Sequence, residues 1–326
     1  MKKSNFNINF ITNLQYCKFK QGVLTMNRRD FLKTGFLSAL AVSAVGKTVN
    51  AAEAVAASAP DLVALHGGTP EVMWKEGIKA IGGIEKFVKK GSKVVVKPNI
   101  AWTQPPEYAA NTNPELVAAI VRDVLKAGAA EVIVFDHSCD NGPACYRVSG
   151  IASAATGAGA KVLSATDRKS YRKVEKAEAA ALTSAEVFSA VLDCDTFINV
   201  PILKHHGGAK MSGAMKNLMG MVWDRRIMHK KNLRNTIPDL LYYRKPDLNV
   251  VDAYRMMMAH GPRGGNLRDV ALGKFMLISA DPVAVDAAAV KLLQFEESDV
   301  KYLQVAADRK LGCKDLTKLN IKRIEL

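Results

Sequence analysis

The sequence contains no Cys-x-x-Cys pair, and its five cysteines are scattered over 326 residues. A c-type haem, a ferredoxin cluster and a zinc ribbon each need closely spaced thiolates to wrap their metal, so all three are disfavoured. There is no Gly-x-Ser-x-Gly elbow and no His-Glu-x-x-His, which argues against a classical serine hydrolase or zincin. No run of 18 or more apolar residues occurs, so no permanent membrane anchor is expected. Internal repeats and low-complexity linkers are missing too. Acidic residues are in short supply, 31 against 46 Lys+Arg. What is present is ordinary globular composition, 48% hydrophobic and 24% charged, which excludes a disordered, collagenous or disulfide-stapled chain. The length fits one large domain or two closely joined ones.

Much of the basic excess sits at the N-terminus. The first 51 residues hold eight basic side chains (Lys2, Lys3, Lys18, Lys20, Arg28, Arg29, Lys33 and Lys47) and one acid, Asp30, so the remainder carries +8 of the full +15. Arg28-Arg29-Asp30-Phe31-Leu32-Lys33 precedes an uncharged run, Thr34 to Val45, and a small-residue stretch ending Val49-Asn50-Ala51-Ala52. That order reads as a signal peptide over residues 26–51, and the Arg28-Arg29 pair with Phe-Leu-Lys resembles the twin-arginine translocation signal. Residues 1–25 read as an upstream, disordered extension ahead of Met26. The expectation is a periplasmic protein, exported by the twin-arginine translocase and beginning near Ala52. Such a route carries folded proteins, so a cofactor taken up before export would be consistent with it. Of the cysteines left, Cys139 and Cys145 flank a short Gly-Pro loop; a disulfide, free thiols and metal ligation all remain open for them.

From residue 60 onward strands and helices alternate. Short β-type runs at 61–65, 93–96, 132–135, 161–163, 196–200, 248–251, 275–279 and 319–326 are separated by helical stretches. Asn113-Pro114 starts a helix with Leu116, Val117, Ile120, Val121 and Val124 on one face and Gly128 as its stop. Further helices are expected near 151–156, around 184–191, along the basic segment 225–245, and after Pro282. This pattern predicts a single α/β domain over 60–326: a largely parallel, doubly wound, Rossmann-like sheet flanked by helices.

In such a sheet, ligands bind outside the carboxyl ends of the strands. The residues predicted there are His66, Lys97-Pro98-Asn99, Asp136-His137, Lys204-His205-His206 and Asp252, with His260 more loosely near and His229 apart. Asp136, His137 and His205 are the candidates for acid–base work or for holding a transition metal, because imidazole titrates near neutrality and pairs with carboxylate around Zn, Fe or Ni. The alternative is that the histidines cap strands through loop hydrogen bonds. Neighbours such as His205 and His206 on an extended segment point opposite ways, so one of the two faces any given site. Lys204, Lys210 and Lys216 lie among glycines, a pattern suited to a phosphate or carboxylate but not a P-loop. Arg225, Arg226, Lys230, Lys231 and Arg234 lack interleaved aromatics and read as a solvated helix face or an anionic partner surface, not a nucleic-acid site.

Val94 to Asn99, Asn113-Pro114-Glu115, Lys204, Gly213 to Gly220 with its Lys216-Asn217, and Ser279 to Asp286 together resemble the domain of unknown function 362 family. The likeness spans about residues 60–326. That family has no general reaction and often occurs in iron–sulphur proteins, whose cysteine-rich module this chain does not carry, so a cluster of its own is not expected. The resemblance singles out Lys97, Asn99, Lys216, Asn217, Asp281 and Asp286. Asp281 reads as a helix cap, and Asp286 as a tie between a helix and a loop. Two functions are expected: a metal- or cofactor-dependent enzyme whose Lys97, Asn99, Lys204, Lys216 and Asn217 hold a small anionic substrate, or a non-catalytic binding or accessory protein for a redox or maturation complex.

Overall fold

The computed structural model describes residues 59–326. The expected 1–25 extension and the signal with Arg28 and Arg29 lie outside the described residues.

β1 (Leu62–His66) leads into α1 (Pro70–Ala80), capped by the Thr69 hydroxyl, which accepts from the Val72 N–H. β2 (Lys93–Pro98) is buried along five of its six residues, as a Val-rich strand covered on both faces should be. The Asn113 side chain then accepts from the Glu115 and Leu116 N–H groups to start α2 (Pro114–Lys126). Gly128, at φ 94°, supplies the left-handed turn that stops it. β3 (Glu131–Asp136), α3 (Gly142–Val148), α4 (Ile151–Gly157) and β4 (Lys161–Ser164) follow.

The helix expected around 184–191 is mostly strand. β5 (Tyr171–Glu175) and β6 (Ser184–Phe188) pair antiparallel in a small sheet of their own, and only α5 (Ser189–Asp193) is helical. Tertiary contact overrides the local helical pattern here: Phe188 stacks on Phe135 at 4.4 Å and meets the Tyr171 edge at 5.3 Å, contacts that favour aromatic and β-branched residues in a pleated surface.

β7 (Thr196–Val200) and β8 (Ile202–His206) are separated by Pro201 alone and both run beside β10 (Leu248–Met257). Pro201 has no N–H to give, but its carbonyl accepts from Asp252 N at 2.8 Å, so the strand continues past the rim of the sheet. β9 (Lys210–Ser212) folds back on β8, and α6 (Ala214–Asn217) follows. The single basic helix expected over 225–245 is two, α7 (Arg226–Lys230) and α8 (Leu233–Tyr243), because Asn232 at φ 79° interrupts it. After β10 come β11 (Val270–Ser279), α9 (Pro282–Leu292), α10 (Lys301–Asp308) and β12 (Ile321–Glu325).

The main sheet runs β12-β1-β11-β10-β7-β2-β3-β4 and is mostly parallel, with β11 antiparallel to both its neighbours. It is a helix-flanked α/β sheet, as the alternation predicts. On one face α1, α2 and α4 bury Trp74, Ile120, Val121 and Ile151 against β1, β2 and β3, each large apolar side chain contributing about 1.5–3 kcal/mol. On the other, α9 packs against α6 and α10. The decisive point of topology is β2. The chain leaves it toward β3 and β4 on one side and returns on the other with β7, so the carboxyl ends of β2, β3 and β7 flank a crevice where the winding reverses.

Candidate active site

The floor of that crevice is a closed ion pair. Lys97 ends β2, Asp136 ends β3, and their Nζ and Oδ1 atoms lie 2.7 Å apart with both side chains essentially inaccessible to water. The second Asp136 oxygen accepts from Ile100 N at 2.7 Å, and Lys97 also donates to Pro98 O. Burial lowers the Lys97 pKa, and the Asp136 charge opposes that drop. Gly220 lies directly over the pair. A Cβ at that position would come within 1.9 Å of Asp136 Oδ1 and 2.8 Å of Lys97 Nζ, so only glycine lets the backbone seal the floor.

The walls carry cations of a different kind. Strand alternation along β8 places Lys204 and His206 on the crevice side and turns His205 away, where it accepts from Gly261 N and meets the edge of Phe295. Lys204 Nζ donates to Asn99 Oδ1 at 3.1 Å and to the Ala110 carbonyl. Burial pushes its pKa down to about 7, helped by the charges of Lys216 and Lys97. His206 is pushed to about 2 by burial and by both lysines; its Nδ1 accepts from Gly208 and Ala209 N–H, which fixes a neutral ring.

Lys216 is delivered by α6. The buried Asp286 carboxylate accepts from Ala214 N at 2.5 Å and Met215 N at 3.0 Å, tying α9 to the start of that short helix. Gly213 is required beside it, since a Cβ there would lie 2.2 Å from Asp286 Oδ1. Asp281 caps α9 through Val283 N and Ala284 N and also accepts from Cys313 N. Lys216 Nζ touches Met219 Sδ at 3.6 Å. Burial, with Arg225 and Lys97 nearby, brings its pKa down to about 8. Arg225, just before α7, donates to His137 O at 2.7 Å, Ser138 O at 2.6 Å and Cys139 Sγ at 3.2 Å. Among the described residues no carboxylate lies within 4 Å of Lys204, Lys216 or Arg225.

A chain of amides holds these groups in register. Asn99 Nδ2 donates to Asn217 Oδ1, Asn217 Nδ2 to Asn199 Oδ1, and Asn199 Nδ2 to Asn249 Oδ1, each at 2.9–3.0 Å. Asn99 and Asn217 therefore border the crevice while spending much of their bonding capacity on one another and on Lys204. His137 lies flat against Trp223 at 5.1 Å, and its Nδ1 is 3.2 Å from Val222 O; burial and then Arg225 lower its pKa.

The resulting cleft has a volume of about 1160 Å³. Asp136, His137, Asn99, Lys204, Lys216 and Asn217 line it, whereas Lys97 lies beneath it and is neutralised by Asp136. The expectation that His205 joins Asp136 and His137 as one ligand set does not hold, because His205 occupies the outward parity of β8. Among the described residues no three His, Cys, Asp or Glu side chains converge to hold a metal. His66 pairs with Glu325 and His260 with Asp269, both away from the cleft, while His229, set apart in the sequence reading, lines it. Arg225 is likewise not a solvated helix residue but a wall of the site. No motif marks it; its role follows from the turn that carries Gly220 and Trp223 across the rim. Cys139 and Cys145 are free thiols, the first exposed and the second buried.

The model of a domain of unknown function (DUF362) matches residues 94–291. Thylakoid-associated protein sll1697 of Synechocystis sp. is 27% identical over 252 residues, 72% of this chain and 73% of that protein. Among solved structures, the lactate racemase apoprotein from Thermoanaerobacterium thermosaccharolyticum aligns with a TM-score of 0.47 at 12% identity, over 71% of this chain and 56% of its own. A Thermotoga maritima protein aligns with a TM-score of 0.38 at 10% identity, over 74% and 60%. The chain thus spans less than two thirds of either solved structure.

Proposed function

This chain belongs to the DUF362 family, and we propose that it is an exported enzyme acting on a small organic anion, a carboxylate or phosphate, held in the cleft at the β2 switch point. The observation that carries this reading is the set of Lys204, Lys216 and Arg225 lining one cleft with, among the described residues, no carboxylate within 4 Å of any of them. Desolvating a cation costs several kcal/mol unless an opposite charge answers it. The floor has such an answer in Asp136, 2.7 Å from Lys97, whereas Glu186 and Asp224, which also line the cleft, do not pair with Lys204, Lys216 or Arg225. A bound anion supplies that answer, and charge-assisted bonds from two amines and a guanidinium suit planar carboxylate or tetrahedral phosphate.

Catalysis is favoured over passive binding because the wall amines titrate near neutral pH, about 7 for Lys204 and about 8 for Lys216, where a side chain can both hold and release a proton. Asp136 and His137 have no third donor converging on them among the described residues. Asn99 and Asn217 orient Lys204 and the cleft wall. The translocase reading Arg28-Arg29 would be the partner that delivers the folded protein to the periplasm.

Calorimetric titration with oxalate and with inorganic phosphate tests the site. Lys204→Ala and Arg225→Ala should each weaken binding about tenfold or more, as loss of a charged hydrogen bond of about 1.5–3 kcal/mol requires. A wild-type protein that binds neither anion overturns the reading. For export, changing Arg28 and Arg29 together to Lys should abolish the processed form in the periplasmic fraction; undiminished export removes the assignment.

A further inference from the structure

Three lysines gather at the rim, and their nitrogens differ in what they are bonded to. Lys97 Nζ is committed to Asp136 Oδ1 and Pro98 O. Lys204 Nζ is committed to Asn99 Oδ1 and Ala110 O, two acceptors that can be served only by N–H, so its nitrogen is held as a donor. Lys216 Nζ faces a thioether sulfur at 3.6 Å and, among the described residues, no oxygen. Oxygen acceptors hold the protons of Lys97 and Lys204 and so stabilise their ammonium forms, whereas no oxygen holds those of Lys216, whose amine is left free to turn its lone pair to a ligand. Its helix is anchored by Asp286, so the amine is aimed and not merely present.

From this geometry we infer that Lys216 is a covalent catalytic residue, forming an imine with the carbonyl carbon of a 2-oxo acid whose carboxylate lies between Lys204 and Arg225. The inference rests on the anion reading above and names its substrate class. The neutral Lys216 amine attacks the carbonyl carbon, the carbonyl oxygen takes a proton from the Lys204 ammonium, and a carbinolamine results. Loss of that hydroxyl as water, with its second proton drawn from the Lys216 nitrogen or returned through solvent, leaves the C=N bond. One C–N bond forms, one water departs, and nothing is oxidised or reduced. The neighbouring charges of Arg225 and Lys97 assist by disfavouring the ammonium form of Lys216. The arrangement then offers what imine chemistry needs: an electron-poor carbon beside a fixed cation, with proton carriers at Lys204 and His137.

The test is reductive trapping of the purified protein with pyruvate and borohydride, read by intact mass and by mapping the modified peptide, alongside oxalate binding by calorimetry. One reduced pyruvate per chain, mapped to Lys216 and absent from Lys216→Arg, beside oxalate binding by the wild-type protein, is the expected result. Oxalate binding without an adduct, or an adduct on another lysine, or one that persists in Lys216→Arg, overturns the inference and leaves the anion site standing. Failure of both oxalate binding and trapping overturns the two together.

Discussion

The rim holds two sets of cations, brought together from distant parts of the chain, and they meet different partners. On the floor, Lys97 meets Asp136 at 2.7 Å under Gly220, so its charge is balanced inside the protein. On the walls, Lys204 and Lys216 are met only by amide, carbonyl and thioether atoms. Balanced charge makes a foundation; unbalanced charge makes a site. The difference teaches that a lysine at the carboxyl edge of a parallel sheet is not in itself a ligand contact, and that its partner decides.

The sharpest way to break this comparison is to unbalance the floor. Asp136→Asn leaves Lys97 buried without its counter-charge and should cost about 3–5 kcal/mol in urea unfolding. A loss under about 1 kcal/mol would mean that the pair is not structural. Next in size, Gly220→Ala drives a methyl into the pair and should cost about 1–3 kcal/mol by the same assay. Lys216→Met works in the opposite direction: it removes a half-buried amine that has no oxygen partner, so stability should hold or rise while oxalate affinity falls about tenfold. Destabilisation comparable to Asp136→Asn would erase the distinction between floor and wall.

A smaller effect is expected from pH. Lys204 and Lys216 sit at about 7 and about 8, below the ordinary 10.5, so between those values the unfolded chain binds more protons and stability should rise with pH. Asp252 and Asp286 are raised by burial to about 6 and about 7 from 3.8, so the folded chain binds more protons below neutrality and stability should fall as pH climbs through that window. A minimum near pH 7 follows, measured by urea unfolding across the range, with the rising limb shallower in Lys216→Met. Anion affinity should fall as pH rises through about 7 to 8, since only the protonated amines attract the ligand.

Legibility in the sequence varied with how local the cause was. Asn113-Pro114, the apolar stripe of α2 and Gly128 are neighbours in sequence, and the helix they predict is the helix that forms. Asp281 was readable as a cap for the same reason. The segment 184–191 reads as helix because its Ala and Glu residues favour one, but pairing with Tyr171–Glu175 makes Ser184–Phe188 a strand. The break at Asn232 was equally hidden, since a positive φ at asparagine has no spacing signature. At the cleft, Lys204, Lys216, Asn99 and Asn217 are legible from motif and strand ends, but that His206 and not His205 faces it depends on the parity of β8, which Pro201 and the register with β10 set.

The amino-acid sequence by itself determined the alternation of strands and helices, their main caps, and the edge at which polar residues collect, because each of these is a property of residues close together along the chain. Tertiary structure alone decided which lysine is neutralised and which is left without a carboxylate partner. Charge balance depends on what a distant segment brings within a few ångströms: Asp136 from β3 to Lys97, Gly220 over both, and Arg225 to the far wall. Burial then sets the protonation of each group, and burial belongs to the folded whole.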